Sequence, residues 1–400
     1  MADIEYLLEA FESGALVRPD YDTPNFVDLA LASAKLSGAS GVPDTRNSIE
    51  LSRRIGDTEH LVFVLLDGVG MNLVESMPET AFLRSHLADE LQAVFPSTTS
   101  VALTSLATCQ WPSTHAITGW WTHIEQIGAP AAILQFASRS DSSDLGKMGV
   151  DSASVFPVPS AMSAYSRDTL IVVPANIANS TYSRYFGGGQ KSCGYSSMEQ
   201  GVTSVINRIR DASEPTFTYL YISRVDSLAH LHGMTRPEVQ HALYEVDSEM
   251  ARLASGIAGK ARIVATADHG LLDAPAGGRH TLRPNRQLAP LLRFPPSGDA
   301  RVMYLHTRDW AAERVRRLFE RRFEDRFIII TVDEAESLEL FGPGQLSPMA
   351  RERMGDLIAI SSGADMIEYN AARGVGKTVQ LNSHHSGLTP EEMRIPLVIV

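Results

Sequence analysis

Three short apolar runs in this 400-residue chain end abruptly at or near an acidic residue: LVFVLL before Asp67, TFTYLYIS shortly before Asp226, and ARIVATA before Asp268. Apolar, β-branched stretches without polar alternation are strands buried on both faces, which happens when helices cover a mostly parallel sheet on both sides. TLIVVP from Thr169 and IPLVIV at 395–400 supply two further strands. After Pro237, the residues Val239, Ala242, Leu243, Val246, Met250, Leu253 and Ile257 recur every three or four positions, which predicts an amphipathic helix opened by proline. Strands alternating with such helices place the chain in the α/β class.

The same rhythm restarts past the loop PAGGRHTLRPN: RVMYLHT, the charged helix-like DWAAERVRRLFERRF, RFIIITV and MGDLIAISS follow one another. The Pro- and Gly-rich segments RFPPSGD and FGPGQLSP read as its linkers. The expected organisation is a catalytic core over 1–280, a small inserted α/β cap over 281–374, and a return to the core over 375–400.

Hydrophobic residues make up 44% of the chain and charged residues 20%, a globular mixture that argues against disorder. With 35 Lys+Arg against 47 Asp+Glu the formal charge is −12, so nucleic acid is not an expected partner and any anionic substrate must be caught by a local site. The two cysteines, Cys109 and Cys193, form no C-x-x-C pair, which argues against thiolate zinc or dithiol chemistry and fits a reducing compartment. The acidic start MADIEYLLEAFESG is unlike a secretory leader, and no apolar run approaches the ~20 residues that span a bilayer. A cytoplasmic protein without membrane attachment is the expectation.

Asp67 stands where a buried strand meets Gly68-Val69-Gly70, the place where open α/β sheets bind ligands, although an Asp there also caps a following helix. Asp226 and His230 lie four apart, so on a helix they face the same way and can grip one cation. Asp268 and His269, followed by Gly270, again sit at a buried strand end, where an uncompensated carboxylate is costly. His384 and His385 precede the last strand. Oxygen and nitrogen ligands at several strand ends suit Zn²⁺ or Mn²⁺ in a catalytic site with open positions. In FPSTTSVALTSLA, at 95–107, hydroxyl residues open an apolar helix. Ser97 or Thr98 can serve as the N-cap, or a hydroxyl nucleophile can sit where helix amides favour phosphate.

Taken in order, LLDGVG at 65–70, FPSTT at 95–99, VDSLAHLHG at 225–233, TADHG at 266–270 and HSGL at 385–388 resemble the alkaline phosphatase superfamily, and within it the type I phosphodiesterase/nucleotide pyrophosphatase branch. The resemblance implies an alkaline-phosphatase-like core and a nucleophilic Thr99. It also implies one metal held by Asp67, Thr99, Asp268 and His269, and a second held by Asp226, His230 and His385, two divalent ions in all, zinc or manganese. His385 is taken over His384 because HSGL fits the family's HGGL-like pattern. The implied activity is hydrolysis of phosphodiester or nucleotide pyrophosphate bonds through a phosphothreonine, on a small phosphorylated substrate such as a nucleotide. Phosphomonoesterase, phosphonate hydrolase, phosphomutase and a noncatalytic nucleotide-binding relative are the alternatives. Two departures stand out: Trp120 occupies the position of an Asn that contacts the phosphoryl oxygen, and Cys109 follows the SLAT segment where a Gly is common.

The aromatics Trp120, Trp121, Tyr182, Tyr185 and Phe186 offer stacking surfaces for a base, or core packing. Gly374-Val375-Gly376-Lys377-Thr378 looks like the end of a phosphate-binding loop but lacks the first glycine, since Ala371 occupies that position, and no suitable strand precedes it.

Overall fold

The computed structural model describes residues 3–284, 286–370 and 381–400, so the glycine-rich segment 374–378 lies outside the described residues. Its main sheet has seven strands, ordered in space Leu87–Gln92, Arg394–Ile399, Ala261–Thr266, His60–Leu66, Thr216–Ile222, Asp168–Pro174 and Lys191–Tyr195. The last five run parallel, and Arg394–Ile399 pairs antiparallel with both of its neighbours. Every residue of His60–Leu66 and of Thr216–Ile222 is buried, as their largely apolar character requires. The predicted helix is Pro237–Gly256, with Val239, Ala242, Leu243, Val246, Met250 and Leu253 on its buried face. Leu87–Gln92 is a half-polar edge strand without an apolar run to announce it.

A second seven-stranded sheet is antiparallel throughout, in the order Phe327–Thr331, Leu357–Ser361, Val302–Leu305, Ser297–Gly298, Trp121–Ile124, Ala129–Ala132 and Ala137–Ser138. The segment 281–374 therefore supplies four of its strands, while 121–138 supplies the other three, so the sheet is not built from one continuous insertion. APAA and AS carry none of the β-branched residues that mark a strand; APAA pairs along the edge of the 121–124 strand, and AS in turn along the edge of APAA. The helix Ala312–Phe323 lays Val315, Leu318, Phe319 and Phe323 against Leu305, Phe327 and Ile329, a hydrophobic cluster separate from the main core.

Two small pairings fix the segment that carries His384 and His385. Leu272–Asp273 pairs antiparallel with Ser383–His384, and the Asn382 amide donates to the His230 carbonyl. No helix among the described residues is long and apolar enough to cross a membrane.

Candidate active site

The strands 261–266, 60–66 and 216–222 are consecutive in the sheet and parallel, so their carboxyl ends open on one side. Asp268, Asp67 and Asp226 emerge there, in the crevice where such sheets bind ligands. The approach is close because the turns after the first two strands meet at glycines: a Cβ on Gly70 would stand 2.6 Å from Gly270 Cα, and one on Gly270 would stand 1.9 Å from the Glu391 carbonyl oxygen. Asp226 and His230 lie on the helix Arg224–His232, with His230 Nε2 3.3 Å from Asp226 Oδ1.

The three histidines share one arrangement. His230 Nδ1 lies 2.7 Å from the Ser383 carbonyl, His269 Nδ1 3.0 Å from the Gly270 carbonyl and His385 Nδ1 3.1 Å from the Ser97 carbonyl. A proton on each Nδ1 satisfies these carbonyls and leaves Nε2 with its lone pair for the centre, the tautomer a metal-binding imidazole needs. Their rings converge, those of His269 and His385 stacking at 3.7 Å between centroids.

The carboxylates are left incomplete. Tyr221 donates its hydroxyl to Asp67 Oδ2, and the Gly68 and His269 amides donate to Asp268 Oδ1. Asp67 Oδ1, Asp226 Oδ1 and Asp268 Oδ2 are buried without a hydrogen-bond partner. With exposures of 3%, 8% and 0%, three such carboxylates cannot all stay ionised without positive charge beside them. Burial and the Asp226 and Asp268 charges push Asp67 well above the usual carboxylate range. Burial, with the neighbouring imidazoles, pushes His385 well below the usual histidine range. Ligand atoms of Asp226, His230 and His385 form one tight group and those of Asp67, Asp226 and His269 another, each within 4.8 Å. Unpaired carboxylate oxygens and free imidazole nitrogens, with no thiolate, are the donor set of borderline divalent ions such as zinc or manganese.

Thr99 is the first residue of the buried helix Thr99–Thr108, and its Oγ1 lies 3.1 Å from His269 Nε2. Thr98 occupies the N-cap position, but its hydroxyl makes no capping bond. The simple capping account of these hydroxyls therefore fails. His385, rather than His384, joins Asp226 and His230; the His384 Nε2 is turned to the Leu381 carbonyl, 3.2 Å away. Cys109 adopts the left-handed conformation at the helix C-terminus, φ 56°, which explains why glycine suits this position, and burial raises its thiol to about 12, far from thiolate chemistry.

Beside these residues opens a cavity of about 890 Å³ that reaches Asp67, Thr99, Asp226, His230 and His385. Trp120, Trp121, Tyr182 and Phe186 line it, whereas Tyr185 packs on Phe156 at 4.2 Å. Several cavity residues escaped the sequence reading, among them Tyr221, Asp299 and Arg139. Tyr221 looked like one more apolar strand residue. Asp299, in the linker RFPPSGD, accepts a hydrogen bond of 2.9 Å from the Trp120 amide, and burial raises its carboxyl to about 7. Arg139, in FASRSD, carries no motif at all.

The type I phosphodiesterase/nucleotide pyrophosphatase family model matches residues 61–387. The chain belongs to this family. No curated protein matches it in sequence. Among solved structures it is similar to murine ectonucleotide pyrophosphatase/phosphodiesterase 5, at 13% identity and a TM-score of 0.61, over 84% of this chain and 87% of that one. The human counterpart gives 14%, 0.61, 85% and 87%. Phosphonoacetate hydrolase from Sinorhizobium meliloti, in complex with phosphonoformate, gives 17%, 0.59, 84% and 89%. At these identities the structures attest the alkaline-phosphatase-like fold, and family membership makes the chain a phosphoester hydrolase by class.

Proposed function

We propose that this chain hydrolyses phosphodiester or nucleotide pyrophosphate bonds through a covalent phosphothreonine on Thr99. The observation that carries the reading is the Thr99 hydroxyl at a helix start, 3.1 Å from His269 Nε2, facing three buried carboxylates with unpartnered oxygens. Two divalent cations, held by Asp67, Thr99, Asp268 and His269 and by Asp226, His230 and His385, would supply Lewis-acid charge at the phosphoryl group and lower the pKa of a bound hydroxyl.

The protein's own contribution is placement. The Thr99 helix starts beside the ligand cluster, so its first-turn amides are available to phosphoryl oxygens as the threonine oxygen attacks phosphorus and the ester oxygen leaves. Water then cleaves the Thr99–phosphate bond and regenerates the hydroxyl. Tyr221 holds Asp67 Oδ2, and the Gly68 and His269 amides hold Asp268 Oδ1, so both carboxylates present their second oxygen inward. The volume and aromatic walls of the cavity favour a diester or a nucleotide over a bare monoester.

The test is a Thr99→Ala and Thr99→Ser pair, each loaded with zinc and assayed on bis(p-nitrophenyl) phosphate and p-nitrophenyl phosphate. T99A is expected to lose at least about 10³-fold in kcat while keeping its metal content, and T99S to retain part of the activity. Wild type is expected to prefer the diester and to lose turnover with a chelator, and acid-quenched enzyme should carry on Thr99 a p-nitrophenyl phosphoryl group from the diester and an unsubstituted phosphoryl group from the monoester. Full turnover by T99A would remove the nucleophile assignment, and a preference for the monoester would remove the diesterase one.

A further inference from the structure

Arg139 follows the short strand Ala137–Ser138, its amide bonded to the Pro130 carbonyl, and its side chain lines the cavity. Among the described residues it is the one lysine or arginine that does so, against Asp67, Asp226, Asp299 and Glu368. The guanidinium lies over the Trp121 ring, 4.7 Å from its centroid, and 5.3 Å from that of Tyr369. Nη1 donates to the Pro296 carbonyl at 3.1 Å and Nη2 to the Tyr369 carbonyl at 2.7 Å. These bonds aim the group and use two of its five N–H donors, while carbonyl oxygens leave its charge unneutralised.

No carboxylate forms an ion pair with Arg139 among the described residues; Asp299 and Glu368 act on it only at longer range. Both are weakened as counter-charges, because burial raises the Glu368 carboxyl and lifts that of Asp299 to about 7. Burial also draws the guanidinium down to about 10, still far above neutrality, so the group stays charged in a recess walled by aromatic rings. A partly buried cation with spare planar donors and no carboxylate partner among the described residues is built for an oxyanion supplied from outside.

We propose that Arg139 determines specificity by binding a second anionic group of the substrate, a carboxylate or phosphate carried beyond the phosphoryl group that Thr99 attacks. The assignment rests on the hydrolase reading for where the first phosphoryl group sits. Substrates with one phosphoryl group and an otherwise neutral body then bind weakly, and those with a distal anion bind the length of the cavity, with the neutral portion between Trp121 and the aromatic wall.

Equilibrium binding separates this from the hydrolase reading. Phenyl phosphate, 4-carboxyphenyl phosphate and ATP are titrated into zinc-loaded T99A, T99A/R139Q and T99A/R139K. The T99A protein is expected to bind a probe with a second anion at least about 30-fold more tightly than phenyl phosphate, the scale of a desolvated charge pair. R139Q should erase that ratio and R139K restore part of it. A preference for 4-carboxyphenyl phosphate identifies a carboxylate as the distal group and one for ATP a phosphate. A ratio near one in T99A, or an unchanged ratio in R139Q, overturns the assignment. Should R139Q fail to fold, the ratio in T99A decides by the same threshold. Turnover of ATP and bis(p-nitrophenyl) phosphate by the enzyme with Thr99 intact is measured separately: its absence removes the hydrolase reading, and the binding ratio still decides the role of Arg139.

Discussion

Single residues divide by whether their reason for being where they are is local. Asp268 and His269 were legible because two ligand-type side chains directly after a buried strand have no cheap packing explanation, whereas Asp67 alone reads equally as a helix cap and was legible only beside the other motifs. Thr99 was legible only beside the four other motifs, since a threonine opening a helix is ordinarily a cap. Asp299 and Arg139 were illegible: they reach the cavity through the 121–138 strands and the 297–305 segment, and no periodicity records a contact across that distance. Asp299 also gives a signature in pH. Its carboxyl titrates near 7 in the folded chain and near 3.8 when unfolded, so between those values the folded state holds the extra proton. Its contribution to stability is therefore present at the acid end and lost as pH rises towards 7, by at most about 1.4 kcal/mol per pH unit. Asp299→Asn keeps an acceptor for the Trp120 amide and removes the titration. Urea unfolding of both proteins from pH 4 to pH 8 should show the stability difference, wild type minus variant, shrinking up to about pH 7 and then levelling. Parallel curves would show that Asp299 does not titrate in this range.

Elements rather than side chains set how close the ligands stand. The turns after His60–Leu66 and Ala261–Thr266 touch backbone to backbone at Gly70 and Gly270, with the Glu391 carbonyl against both. Side chains at these positions would hold the turns, and with them Asp67 and Asp268, apart. The Gly270→Ala methyl would fall 1.9 Å from the Glu391 oxygen, so the 389–393 segment must shift. The expected cost is at least about 1–3 kcal/mol in stability, accompanied by weaker zinc binding in equilibrium dialysis. Normal zinc affinity in a destabilised G270A would show that the turn spacing is a packing constraint alone. The sequence displayed these glycines, and their neighbours across the sheet became visible only in three dimensions. The neighbouring Ser386, at φ 105°, shows the reverse case: a glycine-type conformation without glycine, which explains the HGGL-like pattern its segment resembles.

At the scale of the whole molecule, two sheets with different connectivity must hold one cavity open between them. Part of that connection is a fully buried ion pair. Arg301, just before Val302–Leu305 of the second sheet, donates from Nε to Glu392 Oε1 at 2.6 Å and from Nη2 to Oε2 at 2.9 Å. Glu392 also accepts from the amides of Gly387 and Thr389, so the pair ties the second sheet to the loop that carries His385. Arg301 spends its remaining donors on the Asp365 and Gly363 carbonyls and the Ser361 hydroxyl. Such a pair contributes little net stability compared with apolar residues of equal volume, yet breaking it strands a charge in the interior. Arg301→Met is therefore expected to cost about 3–5 kcal/mol, and the Arg301→Met/Glu392→Met double variant to recover much of that in urea unfolding. The recovered fold should still bind zinc poorly if the pair's task is to place His385, because methionine offers nothing to the Gly387 and Thr389 amides. A double variant as unstable as the single one would locate the cost in the lost bonds to Gly363 and Asp365. Full zinc affinity in the double variant would mean that the Ser383–His384 pairing and the Ser97 carbonyl suffice to hold His385 in place.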